Sequence, residues 1–259
     1  AFAREQGCDF ILALGGGAVL DASKAIAAMA TNPGDLWDYV SGGTGKGKPL
    51  VNPGLPIVTI PTSSGTGSEI NCWGVISNLD THEKIGFGAP GLVPVLSIVD
   101  PELMYSMPKG LTAATGMDAL THAIESYITP GAWAMSDMFE LKAIEMIAAN
   151  LKAAVDNGND VVAREAMSQA QYIAGMGFSN VGLGIVHSMA HPLGAHYDTP
   201  HGVANALLLP YVMEYNAESP AAPKYINIAK AMGVNTDGMT ELEGVRAAVE
   251  AVRNLSLSI

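Results

Sequence analysis

Cysteine is scarce: Cys8 and Cys72 are the only two in 259 residues. Two isolated cysteines make no disulfide framework, and that usage accords with a reducing cytoplasm. Basic residues are few as well, 13 against 25 acidic ones, for a net charge of −12. No run of Lys or Arg interrupts that balance, which argues against nucleic acid or an anionic membrane surface as a partner. Apolar stretches are broken by Gly, Pro or charge before they reach ~20 residues, so no membrane span is expected. The chain opens on an amphipathic stretch, without Met and without the pattern of a signal peptide. What is abundant is apolar surface. Hydrophobic residues make up 49% and charged ones 15%, enough for a sizeable core and too apolar for disorder.

The length suits one large domain or two ordinary ones. Residues 10–14 form a short apolar run that stops at Gly15-Gly16-Gly17, the pattern of a buried parallel strand entering a turn. A helical segment follows at 21–29. Residues 55–60 and 95–99 read as two further strands. Strands alternating with helices argue for a parallel sheet of nucleotide-binding type. Beyond about Met107 the texture changes: 112–128, 135–155, 161–175, 180–193 and 241–255 all carry helical spacing. With Pro108-Lys109-Gly110 as the boundary, the expected fold class is an α/β part (1–107) holding a partial dinucleotide-binding parallel sheet, then an all-α part (108–259). A sheet of about three parallel strands leaves an edge and both faces poorly covered. A shortened chain is therefore expected.

Two loops carry possible ligand chemistry. Gly15-Gly16-Gly17, after a strand and before a helix, lets backbone amides approach a pyrophosphate, although three glycines at a strand end also make a plain tight turn. Asp21 either hydrogen-bonds a loop or supplies charge to the first helical turn. The second loop, Thr62-Ser63-Ser64-Gly65-Thr66, offers hydroxyls for phosphate or ribose, or alternatively caps the next helix. Two such loops at successive strand ends should lie side by side on one rim, where open parallel sheets bind ligands.

Of six histidines, five fall between positions 122 and 201. Asp118 and His122 stand at i and i+4, as do His187 and His191, so each pair shares a helix face and can chelate one ion. His201 follows in a Pro200-His201-Gly202 turn. One carboxylate with neutral imidazoles suits Fe(II), Zn(II) or similar ions. Each pair also has an innocent reading as capping, salt-bridging or backbone-satisfied residues. Spacing does not decide which of the five groups ligate.

At this point the residues match a known family. The chain resembles the iron-containing alcohol dehydrogenases, most closely the lactaldehyde reductase/propanediol oxidoreductase branch. The matching stretches are Gly15-Gly16-Gly17, residues 61–69, 114–125 (ATGMDALTHAIE), 175–194 (GMGFSNVGLGIVHSMAHPLG) and 199–205 (TPHGVAN). The last three are long and specific, and the similarity spans essentially the whole chain. The resemblance implies a dinucleotide-binding domain, a helical metal domain and a cleft between them. It implies Asp118, His122, His187 and His201 as ligands of Fe(II), with Zn(II) as the other candidate ion. His191 is then a proton-relaying group beside the nicotinamide rather than a ligand. Gly16, Gly17, Thr62, Ser63 and Thr66 match positions lining the pyrophosphate and ribose of NAD. Asp21, Lys84 and Leu103 match further cofactor-side positions. Trp73 and Phe178 fall at the walls of the substrate pocket.

Two departures stand out. The family usually has Ser after the triple glycine, where this chain has Ala18. Family members also extend beyond both ends of this sequence, including the turn that distinguishes NAD from NADP. The expected activity is reversible hydride transfer between NAD(P) and a small primary alcohol, diol or aldehyde, in a cytoplasmic homodimer or larger assembly. The rival readings are a catalytically silent metal-binding fragment and a lyase like dehydroquinate synthase, for which Asp plus three His fits less well than a Glu-containing site.

Overall fold

The computed structural model describes residues 2–259. After one turn, α1 (Phe2–Glu5), the first apolar run forms β1 (Ile11–Gly15) and leads through the glycines into α2 (Gly17–Thr31). β2 (Ile57–Pro61) pairs in parallel with β1, and β5 (Leu96–Ser97) pairs in parallel with β2, giving the order β1-β2-β5. The expected three-stranded parallel sheet is present. Its register sets Leu12 beside Val58 and Leu14 beside Ile60. α2 buries Leu20, Lys24, Ala27 and Ala28, one helical face, against the sheet. Ala25, Ile57, Phe87 and Leu92 complete this smaller core. The opposite face of the sheet is bare, with Leu12 and Leu14 exposed by 59% and 56%.

Between β2 and β5 lies an antiparallel hairpin that the sequence reading leaves out, β3 (Trp73–Asn78) and β4 (Glu83–Gly88). Its turn is fastened by Asn78, whose Oδ1 accepts from the Asp80 amide at 3.0 Å. α2 is stitched to it. Asp21 accepts from Ser68 Oγ at 2.6 Å and from the Val75 amide at 2.9 Å. The buried Lys24 ammonium donates to Ser68 Oγ, Asn71 Oδ1 and the Trp73 carbonyl.

The remaining chain is helical: α3 (Lys109–Ile128), α4 (Ala134–Asp156), α5 (Val161–Val181), α6 (Ile185–Tyr197), α7 (His201–Tyr215), α8 (Tyr225–Ala231) and α9 (Glu241–Leu257). Met117, Leu120, Ile124, Ile144, Ile147, Leu151 and Met167 form the centre of the larger core. Buried Arg164 ties the start of α3 to α5, donating to Thr112 Oγ1, the Met107 carbonyl and the Gly158 carbonyl. Among the described residues no helix is long and apolar enough to cross a membrane.

Three boundaries differ from expectation. α5 runs on past Gly175 to Val181, because Gly175 is a packing glycine: a Cβ there would lie 2.4 Å from Ile70 Cγ2. Residues 180–184 do not belong to the following helix. Gly182, at φ +81°, closes α5 with its amide on the Phe178 carbonyl, and α6 starts only at Ile185. His201 does not sit in an isolated turn either. It is the first residue of α7, with Pro200 as N-cap, since Pro needs no intrahelical donor.

Candidate metal centre

Asp118 and His122 lie one turn apart on α3, and both are buried. His187 opens α6 and His201 opens α7, so three helices converge on one point. Asp118 Oδ1 lies 3.6 Å from His187 Nε2 and 3.5 Å from His201 Nε2. One ligand atom from each of Asp118, His187 and His201 falls within 4.8 Å of the others. His122 stands one layer away. Its Nδ1 is 4.0 Å from Asp118 Oδ1, and its ring stacks between Phe178 and His187 at centroid distances of 4.6 and 4.5 Å.

The electrostatics are those of a carboxylate in a cage of imidazoles. Burial alone would raise the Asp118 carboxyl, but the rings of His122, His201 and His187 outweigh it and hold Asp118 well below the usual carboxylate range. Burial pushes His122 down to about 3 and lowers His201. His187 goes the other way: burial opposes its charge, yet the carboxylates of Asp118 and Glu125 raise it to about 9. Burial, then the neighbouring imidazoles and Lys84, push His191 down to about 4.

These residues fit a divalent cation. The donor set is one carboxylate and imidazole nitrogens, with Asp118 and His187 buried and His201 partly so. Its polar atoms are poorly satisfied by protein alone, since His122 Nδ1, His201 Nδ1 and Asn205 Oδ1 are buried without a hydrogen-bond partner. The Asn205 amide nitrogen reaches all three of Asp118 Oδ1, His187 Nε2 and His201 Nε2, at 2.6, 3.2 and 3.2 Å. An amide has two protons for those three acceptors.

The two loops do lie side by side. The Thr62 amide donates to the Gly15 carbonyl at 3.0 Å, Gly16 faces Ser63, and a Cβ on Gly17 would come within 2.6 Å of Thr66 Cγ2. The glycines are thus needed for loop-to-loop contact. Gly65 and Gly67 serve the same end against the helices: added Cβ atoms would meet the Thr115 carbonyl at 2.6 Å and Gly175 Cα at 2.9 Å. Gln171 of α5 accepts from the Gly65 amide at 2.7 Å. Asp21 is engaged with Ser68 and Val75, so it braces the second loop. Lys84, on β4, approaches Gly194 of α6 and faces the histidines. Trp73 is half exposed on β3, and Leu103 sits on a short 3-10 turn packed on α5. Phe178 links the two regions, since it touches the second loop near Gly67 and stacks on His122.

Residues 1–101 match the signature described as iron-containing alcohol dehydrogenase, and residues 112–259 that of the Fe-containing alcohol dehydrogenase family, C-terminal. The chain belongs to the iron-containing alcohol dehydrogenase family. The lactaldehyde reductase of Escherichia coli K12 is 47% identical over 257 residues, covering 99% of this chain and 65% of the reductase. The 1,3-propanediol dehydrogenase of Citrobacter freundii is 45% identical over 256 residues, with 99% and 65% covered. Among solved structures, a 1,3-propanediol oxidoreductase superposes with a TM-score of 0.92 at 44% identity, over 99% of this chain and 65% of that one. An alcohol dehydrogenase from Oenococcus oeni gives 0.94 at 38% identity, over 99% and 66%. This family member therefore spans about two thirds of the length of the relatives it matches.

Two site residues escaped the sequence reading. Glu125 is i+7 from Asp118 and i+3 from His122, and Asn205 is i+4 from His201, so helical spacing alone places each on the face of a candidate ligand.

Proposed function

We propose that this chain carries the metal centre and part of the dinucleotide site of an oxidoreductase. The reaction is hydride transfer between NAD(P) and a small primary alcohol, diol or the corresponding aldehyde. The observation that carries this reading is the buried convergence of Asp118, His187 and His201, joined through His122 and Phe178 to the paired glycine loops. The named activities of relatives at 45–47% identity point the same way.

Asp118, His187, His201 and His122 would hold the ion. When bound, a divalent ion supplies Lewis acidity towards an alcohol or carbonyl oxygen, and the dinucleotide supplies the hydride acceptor or donor. The amides of Gly16 and Gly17 lie at the start of α2, which no side chain caps, and would receive a pyrophosphate. The second loop, with Thr62, Ser63 and Thr66, borders it. Phe178 and Trp73 restrict the substrate side. His191 is neutral at physiological pH and can take the alcohol proton on a ring nitrogen during oxidation and return it during reduction.

The direct test is anaerobic incubation of the purified chain with Fe(II) or Zn(II), propane-1,2-diol and NAD+, following NADH absorbance. NADH formation supports the proposal. Stoichiometric metal without NADH would establish instead a metal-binding module that lacks catalysis.

A further inference from the structure

Glu125 lies outside the ligand set, yet it shares one face of α3 with Asp118 and His122 and is itself buried. Its two carboxylate oxygens receive three donors from the first turn of α6. Oε1 accepts from the Val186 amide at 2.7 Å. Oε2 accepts from His187 Nδ1 at 2.6 Å and, at 3.4 Å, from the His187 amide. The N-cap of α6 is Gly184, which offers no side chain to these amides. A side chain at 184 would in fact collide with the carboxylate, since a Cβ there would lie 2.7 Å from Glu125 Oε1. α3 thus reaches across to cap α6 and, with the same group, grips the ring of His187 from behind.

We propose that Glu125 is a positioning residue for the metal centre: it fixes His187 as the Nδ1–H tautomer and aims Nε2 at the point faced by Asp118 and His201. This rests on the metal-site reading above. An imidazole ligand is defined by what its other nitrogen donates to, because that bond sets both the tautomer and the ring azimuth. Here the ring has no freedom left. Nδ1 is held by Glu125, and Nε2 lies 3.6 Å from Asp118 Oδ1 and 3.2 Å from the Asn205 amide. The charge count matters as much as the shape. Two acceptor oxygens serve both Val186 and His187, whereas an amide of the same outline provides one. In Glu125→Gln the amide oxygen can keep the Val186 bond only by turning its NH2 towards His187 Nδ1. That favours the Nε2–H tautomer and removes the lone pair from the side of the ion.

The test uses the full 259-residue chain as parent, Glu125→Gln and Glu140→Gln, residue 140 being a buried carboxylate of the same helical core with no hydrogen bond to a candidate ligand. Zn(II) affinity is read by competition with a chromogenic chelator, and folding by circular dichroism. Glu125→Gln should bind Zn(II) about 10- to 100-fold more weakly, with the parent's helical content, while Glu140→Gln binds as the parent does. A second measurement does not depend on the variant folding. In the Zn(II)-loaded parent with 15N-labelled histidine, NMR should show His187 with a proton on Nδ1, strongly downfield, and Nε2 shifted by the metal. Folded Glu125→Gln with unchanged affinity, or His187 bound to zinc through Nδ1, would overturn the proposal and leave the metal site standing. A parent that binds no zinc would overturn the metal site itself, and this role with it.

Discussion

His191 stands one turn beyond His187 on α6, with its ring centroid 5.3 Å from that of His201, and it is held neutral down to a pKa of about 4. Such a ring is unprotonated at physiological pH and passes a proton on rather than holding it, so its replacement should affect proton movement and spare the ion. His191→Gln is expected to keep bound metal while turnover falls about 10²- to 10⁴-fold, judged by elemental analysis beside the NADH assay. Loss of metal together with turnover would move His191 into the ligand set. Gly65 shows a different dependence on one residue. The second loop is pressed so close to α3 that a Cβ would lie 2.6 Å from the Thr115 carbonyl, a backbone atom that cannot swing aside. Gly65→Ala should therefore cost about 1–3 kcal/mol in a denaturant titration, as overpacking does. No loss would mean that the loop is not seated on α3 as described.

α4 carries a buried carboxyl on Glu140 into the helical core, against Gly177 of α5. Burial pushes this group from an ordinary 4.5 up to about 9. The folded chain then keeps a proton that the unfolded chain releases above 4.5, so the stability from this group is full below that pH and declines as pH climbs towards 9. Glu140→Gln lacks that decline, and its melting temperature should gain on the parent's as pH rises through this window. A constant difference would show that Glu140 is ionised when folded. Elements of this kind, long and strongly periodic, were plain in the sequence: α3, α4 and α9 begin and end within a few residues of their apolar patterns. The β3–β4 hairpin was not. Its strands hold three glycines, Gly74, Gly86 and Gly88, and several half-buried residues, so no alternation of apolar and polar residues marks them. Gly175 and Gly182 look alike in sequence, yet one is a packing contact inside α5 and the other ends it. Asp118 and His187 were legible as candidate ligands from spacing. Glu125 was legible in principle, but its meaning depends on α6 arriving at its carboxylate, which no local pattern encodes.

At the scale of the molecule there are two cores of unequal size, with Phe178 reaching from the second loop to His122. The helical core surrounds Asp118, His122 and His187, which are buried. The sheet is covered by α2 on one side only, leaving Leu12 and Leu14 of β1 and Leu96 of β5 exposed on either side of β2. Parallel sheets are ordinarily buried on both faces, and a contiguous apolar face invites association. The 259-residue chain should self-associate with rising concentration in light scattering, and the double change Leu12→Ser, Leu14→Ser should reduce this without loss of helix signal. Undiminished association would locate the contact elsewhere. Because the candidate ligands lie in and beside the helical core, ion binding should survive whatever the bare sheet does. The most direct measurement is an anaerobic Fe(II) titration of the parent and of His187→Ala, with bound iron counted per chain by elemental analysis. One tightly bound ion per parent chain, and none in a folded His187→Ala, is the expected result. A parent without bound iron, or a variant that binds as much as the parent, would contradict the metal centre.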